Sequence, residues 1–188
     1  MKAKMIMVIL FSLLTLCVSS QKLGVYTIVS KDVNNEIKAA PIVDFFTSKK
    51  LNSAFSLSSY LYVSQSWAEA MLYLDYRPKP WVTISLGGGI EQAQKLLRGT
   101  ASLWLGKNNW SLINIYELGF GQDNYWYKSQ LNYQLSKTIG VGYLAKRYFG
   151  LGPVIKVSIS KSLDFWAAPL RDFEAKQYKF ATGISVNL

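Results

Sequence analysis

Residues 125–135 read YWYKSQLNYQL, and their alternation decides the fold. Tyr127, Leu131, Tyr133 and Leu135 share one side, with Ser129 among them, while Trp126, Lys128, Gln130, Asn132 and Gln134 share the other. Side chains of a strand point alternately to opposite faces, so this segment has one apolar and one polar face. The same period of two returns at Phe55/Leu57/Leu61/Val63, Val82/Ile84/Leu86, Ile139/Val141/Tyr143 and Ile155/Val157/Ile159. It closes the chain as Tyr178, Phe180, Ile184, Val186 and Leu188, with Thr182 interrupting.

Turn-forming residues separate these runs at Arg77-Pro78-Lys79-Pro80, Lys107-Asn108-Asn109, Gly121-Gln122-Asp123-Asn124, Ser136-Lys137 and Ser160-Lys161-Ser162. Twelve strands are expected, near 23–30, 41–48, 54–64, 67–77, 81–91, 97–106, 110–120, 125–135, 138–148, 153–160, 163–168 and 177–188. The first two and the eleventh carry the weakest patterns, so the count stands at twelve or ten. Lys50, Lys79, Lys107, Lys137 and Lys161 recur at intervals of 29, 28, 30 and 24 residues, once per pair of strands. That is the rhythm of an up-and-down antiparallel meander. Connections near 31–40, 65–66, 92–96, 121–124, 149–152 and 169–176 would form the opposite rim.

The chain begins differently. Lys2 and Lys4 precede an unbroken apolar run from Met5 to Val18, too short to span a bilayer comfortably, and Val18-Ser19-Ser20 offers small residues for cleavage. Residues 1–20 are therefore expected to be a cleaved signal peptide and 21–188 the barrel; the alternative is a lipoprotein signal ending at Cys17. Removing 1–20 leaves 168 residues with no cysteine and lowers the formal charge from +10 to +8. An exported chain with that excess is expected to meet acidic lipid or anionic solutes and not nucleic acid.

The strands would place their apolar face outward, against lipid. Segments of roughly 9–11 residues cross a hydrocarbon core when tilted. Trp67, Trp81, Trp104, Trp110, Trp126 and Trp166 each lie close to a turn, where a barrel carries its aromatic girdles. The polar face collects Thr83, Ser85, Glu91, Arg98, Thr100, Ser102, Glu117, Lys128, Gln130, Asn132, Lys156 and Ser158, a costly core for a soluble protein but a natural lumen lining. In strand 110–120, keeping Glu117 inside puts Asn114 outside.

Signal peptide, meander and C-terminal strand together resemble the small outer-membrane β-barrel proteins of Gram-negative cells. The resemblance implies an outer-membrane location, lipid as surroundings, and recognition of the last strand by the barrel-assembly machinery. Leu188 stands where that group usually ends on Phe.

The sequence contains no histidine, which removes Ser-His-Asp triads, imidazole ligands and the histidine-dependent lipid chemistry of similar-sized outer-membrane enzymes. The expectation is a non-enzymatic barrel with no cofactor and no metal. A charge cluster is expected in the outer half of the lumen, from Glu69, Glu91, Arg98, Glu117, Lys128, Arg147, Lys156 and Lys179. Its functional reading is a narrow passive channel for small solutes with an anionic preference. The alternative is a structural or assembly barrel whose lumen is closed by salt bridges. A third is a histidine-free lipid-modifying enzyme, working through a Ser-Lys dyad or a carboxylate pair.

Overall fold

The computed structural model describes residues 20–31, 36–93 and 95–188. Apart from Ser20, the expected signal peptide, with Cys17, lies outside the described residues. The first six strands are β1 (Ser20–Lys31), β2 (Ile37–Lys50), β3 (Phe55–Ser64), β4 (Ala68–Lys79), β5 (Val82–Glu91) and β6 (Leu97–Lys107). The second six are β7 (Trp110–Gly119), β8 (Tyr125–Gln134), β9 (Ile139–Lys146), β10 (Gly150–Ser158), β11 (Leu163–Asp172) and β12 (Gln177–Asn187). Each pairs antiparallel with its neighbours in sequence, and β1 closes on β12 from Lys22↔Asn187 to Ser30↔Lys179. The result is a closed twelve-stranded all-β barrel with no edge left unpaired. No helix among the described residues is long and apolar enough to cross a membrane.

Closure with an even strand number brings Ser20 and Leu188 to the same end, called near below; the opposite end is called far. Lys50, Lys79, Lys107, Lys137 and Lys161 all lie at the near end. Three strands run longer than their patterns suggest by four residues or more. β1 and β2 extend beyond 23–30 and 41–48 because their ladder continues from Ser20↔Ser48 to Lys31↔Ile37. β11 runs past Pro169 to Asp172, where a loop was expected. In this register Pro169 falls opposite Pro153, and neither has an N–H to give. The β10–β11 ladder is interrupted there, yet Leu151↔Arg171 and Ile155↔Ala167 keep one register on either side.

The outer face is apolar around the barrel. Leu72, Leu74, Ile84, Leu86, Leu131, Val141, Ile155 and Phe180 are all exposed on it. A soluble barrel would hide such a band inside, so this one is built to face hydrocarbon. Leu86, 64% exposed and midway along β5, supplies a test. Leu86→Arg is expected to lower unfolding stability in lipid vesicles by about 2–4 kcal/mol. Gln130→Arg, on the lumen face of β8, should cost far less. Urea midpoints of tryptophan fluorescence read the difference, and equal midpoints would contradict the inside-out arrangement.

The interior is not uniformly polar, as the sequence suggested it would be. Tyr26, Ile42, Leu144, Phe149, Val154, Ala168, Leu170 and Ala181 form a buried apolar cluster on one side of the lumen. Gly183 makes this possible. It lies between Tyr26 and Trp166 in register, and a Cβ there would collide with Tyr26. The two rings meet across it, with centroids 5.5 Å apart.

Candidate functional site

Across the lumen from the apolar cluster, four adjacent strands contribute one charge each at the far end. Arg98 of β6 donates from Nε to Glu117 Oε2 of β7 at 2.8 Å and from Nη1 to Glu91 Oε2 of β5. Glu69 Oε2 of β4 lies 3.9 Å from Arg98 Nε and accepts the Trp67 indole N–H at 3.0 Å. Asn124, in the β7–β8 turn, accepts from Arg98 Nη1 at 3.0 Å and donates to Glu91 Oε1 at 2.7 Å. Glycines in register make room for this layer. Arg98 pairs with Gly89 and Gly119, and a Cβ on Gly119 would run into Asn124 and Glu91. All four charged groups are buried, and one oxygen of Glu117 has no hydrogen-bond partner. Three carboxylates thus share one guanidinium, which makes Arg98 indispensable to the layer.

Lys146, the last residue of β9, fills the space between this layer and the apolar cluster. Its Nζ lies 3.6 Å from the centroid of the Phe149 ring and 5.4 Å from those of Tyr26, Tyr62 and Trp126. It also donates to Tyr26 Oη at 3.3 Å. An ammonium surrounded by ring faces is held by their quadrupoles, and no carboxylate among the described residues forms an ion pair with it.

The β9–β10 turn brings Phe149 there. Tyr148 adopts a left-handed backbone (φ 67°) and Gly150 follows at φ 113°, reversing the chain tightly enough to fold Phe149 into the lumen. Arg147 caps the far mouth from the same turn. It donates to the carbonyls of Asp123 and Tyr125 and pairs with Asp123 Oδ1 at 2.9 Å and Glu174 Oε1 at 3.7 Å. Lys179 ties the β11–β12 end to this turn, donating to Asp172 Oδ2 at 2.7 Å and to the Tyr148 carbonyl at 2.6 Å.

Below this plug, a cavity of about 590 Å³ extends to the near rim, past Ser20, Ser48 and Arg77. Its walls carry Lys22, Lys128 and Lys156 against Asp44, Asp75 and Asp164, among the rings of Phe46, Tyr60, Trp104 and Trp166. The acids have neighbours. Asp164 lies 3.6 Å from Lys156 and accepts from Ser158, Asp75 accepts from Ser58, and Asp44 accepts from Tyr60 at 3.5 Å. Lys22 and Lys128 have no hydrogen bond or ion pair among the described residues.

Of the eight charges assigned to the outer half of the lumen, Glu69, Glu91, Arg98 and Glu117 come together at the far end. Arg147 and Lys179 form a separate capping group there, and Lys128 lines the cavity. Lys156 is a correction. β10 runs from far to near, so residue 156 sits at the near end beside Asp164. The six tryptophans also divide. Trp110 faces outward at the near end, Trp81 is exposed in the near-end β4–β5 turn and Trp67 sits at the far rim, but Trp104, Trp126 and Trp166 line the cavity. Strand parity decides this, since Trp104 shares the face of Arg98, and Trp126 that of Lys128. Proximity to a turn sets a residue's height, not its face.

Lys146, Tyr26 and Phe149 were missed from the sequence. Parity with Gly140, Gly142 and Leu144 already placed Lys146 inside. For Phe149 no sequence signal existed, because a turn residue has no parity.

A closed barrel with an apolar outer band, a layer of buried charge at one end and a cavity beneath it defines the class of protein. No family model matches the chain, and no curated protein matches it. Solved structures do. A KdgM porin in complex with disordered oligogalacturonate aligns with a TM-score of 0.61 at 14% identity, over 88% of this chain and 98% of that one. The NanC porin gives 0.58 at 10% identity, over 88% of this chain and 100% of that one. An outer membrane channel from Pseudomonas putida F1 gives 0.55 at 11% identity, over 92% and 97%. At these identities the likeness shows the fold alone: a closed antiparallel barrel similar to those of these porins and this channel.

Proposed function

We propose that this barrel lies in the outer membrane of a Gram-negative cell and passes small solutes, anions ahead of cations. The observation that carries the reading is the cavity of about 590 Å³ beneath the Arg98 layer, with Lys22 and Lys128 on its wall and no ion pair to either among the described residues. Cations fixed in a confined lumen lower the energy of an entering anion and raise that of a cation. The acids around them are engaged by hydroxyls or by Lys156 and offset this bias only in part. Oligogalacturonate, named with one structural neighbour, is itself a polyanion, which accords with the reading. Transport by a lumen of this kind needs no catalytic group.

A second reading has its own support. The buried Arg98 layer, Lys146 and Phe149 fill the far half of the lumen, as in a structural barrel that passes nothing. Planar bilayer recordings separate the two, comparing wild type with Phe149→Ala. Unitary steps from wild type support the channel; steps from Phe149→Ala alone, or a lipid baseline from both with folding verified by heat-modifiable gel mobility, leave the structural reading. Selectivity has its own test. Under a salt gradient, Lys128→Glu is expected to move the reversal potential toward the cation side. An unchanged potential in a conducting variant would remove Lys128 from the selectivity account.

A further inference from the structure

The outer surface holds a groove that lumen transport does not use. It lies toward the far end across β9, β10, β11, β12 and β1, with a volume of about 640 Å³. The register explains its shape. Tyr143 pairs with Pro153, Pro169 with Phe180, and Phe180 with Val29, while Pro153 and Pro169 face each other. Two low proline rings therefore form a floor between the taller walls of Tyr143 and Phe180. Their missing N–H groups interrupt the ladder at that point, so the floor coincides with a break in the sheet.

The groove changes character toward the rim. Two residues beyond Pro169, Arg171 points outward with its guanidinium carbon 4.4 Å from the centroid of the Tyr178 ring. Lys31 lines the same end from β1. No acidic side chain among the described residues pairs with Arg171, although an arginine facing the edge of a hydrocarbon band is costly without an anion. An apolar trough running down from a cationic rim is complementary to one kind of molecule: an anionic headgroup at the interface with an acyl chain lying below it.

We propose that this groove is a binding site for a phosphorylated, acylated lipid. Its phosphate pairs with Arg171, assisted by Lys31, and one acyl chain lies on Pro153 and Pro169 between Tyr143 and Phe180. Arginine suits the role because its planar donors meet phosphate oxygens two at a time. The lipid would also cover the stretch where β10 and β11 lack ladder bonds.

Native mass spectrometry of the folded full chain, released from micelles containing diphosphorylated lipid A, tests the proposal. One lipid retained per wild-type barrel is expected. Arg171→Gln should weaken retention roughly tenfold or more, as loss of a charge-assisted pair implies. Arg171→Lys should recover part of it. Phe180→Ala should also weaken retention, whereas Leu86→Ala, elsewhere on the outer face, should not. Heat-modifiable mobility verifies folding of every variant. Equal retention by Arg171→Gln and wild type would overturn the site. So would equal retention of the same lipid stripped of its phosphates, or displacement of the lipid by millimolar inorganic phosphate, which would indicate an anion site without an acyl component. None of these readouts depends on whether the lumen conducts.

Discussion

Replacing Phe149 by alanine is expected to enlarge the small unitary conductance of the wild-type barrel severalfold. The ring is only 4% exposed, yet it belongs to a turn and not to a strand. It can therefore be removed without breaking any ladder hydrogen bond. It covers Lys146 at 3.6 Å and packs on Tyr26 with ring centroids 6.1 Å apart, joining the apolar cluster to the charged layer. In a dry core a Phe→Ala void costs about 3–5 kcal/mol. Here the void opens beside an ammonium group and a cavity with charged groups on its wall, so water enters and the cost falls. Once hydrated, the gap extends the cavity toward the far mouth. Phe149→Leu retains bulk and should remain close to wild type. Conductance of a folded Phe149→Ala barrel indistinguishable from wild type would show that the closure lies elsewhere, with Arg147 over the mouth as the next candidate.

Arg98→Met is expected to be the most destabilising single change in the lumen. It leaves Glu69, Glu91 and Glu117 buried and within reach of one another, with no guanidinium between them. Breaking a buried ion pair from one side costs about 3–5 kcal/mol, because the remaining charge stays desolvated. The loss should appear as a lower urea midpoint in vesicles. Combining Arg98→Met with Glu91→Gln and Glu117→Gln should return most of it, since the amides keep the shape and lose the charge. The combined variant separates an electrostatic role from mere space filling: a packing defect would persist in it. A midpoint unaffected by Arg98→Met would mean that the acids find water in its place and that the lumen is wetter than the packing implies.

Most of the fold was legible along the chain, and particular residues show why. Tyr127, Leu131 and Tyr133 alternate against Lys128, Gln130 and Asn132 because one face of β8 meets hydrocarbon and the other meets the lumen. Lys79 and Lys107 mark near-end turns because a rim in water accepts charge. The Arg98 layer was partly legible for the same reason, since parity placed Glu91, Arg98 and Glu117 inside and strand direction placed them at one end. Parity also contained the true positions of Trp104, Trp126 and Trp166, which closeness to a turn obscured. Lys156 was misplaced in height though not in face.

By itself, then, the sequence determined an antiparallel meander, its inside and outside, and a lumen free of histidine chemistry. These properties are local, carried by a period of two and by turn residues, and each strand reports them separately. Tertiary structure alone decided the rest. It set Phe149 into the lumen, laid Lys146 among four rings, let Tyr26 reach Trp166 across Gly183 and brought Pro153 opposite Pro169. Those relations depend on register between strands and on the path of a turn. Neither is written in any one segment, because both follow only when twelve strands close and each must fit the neighbour on either side.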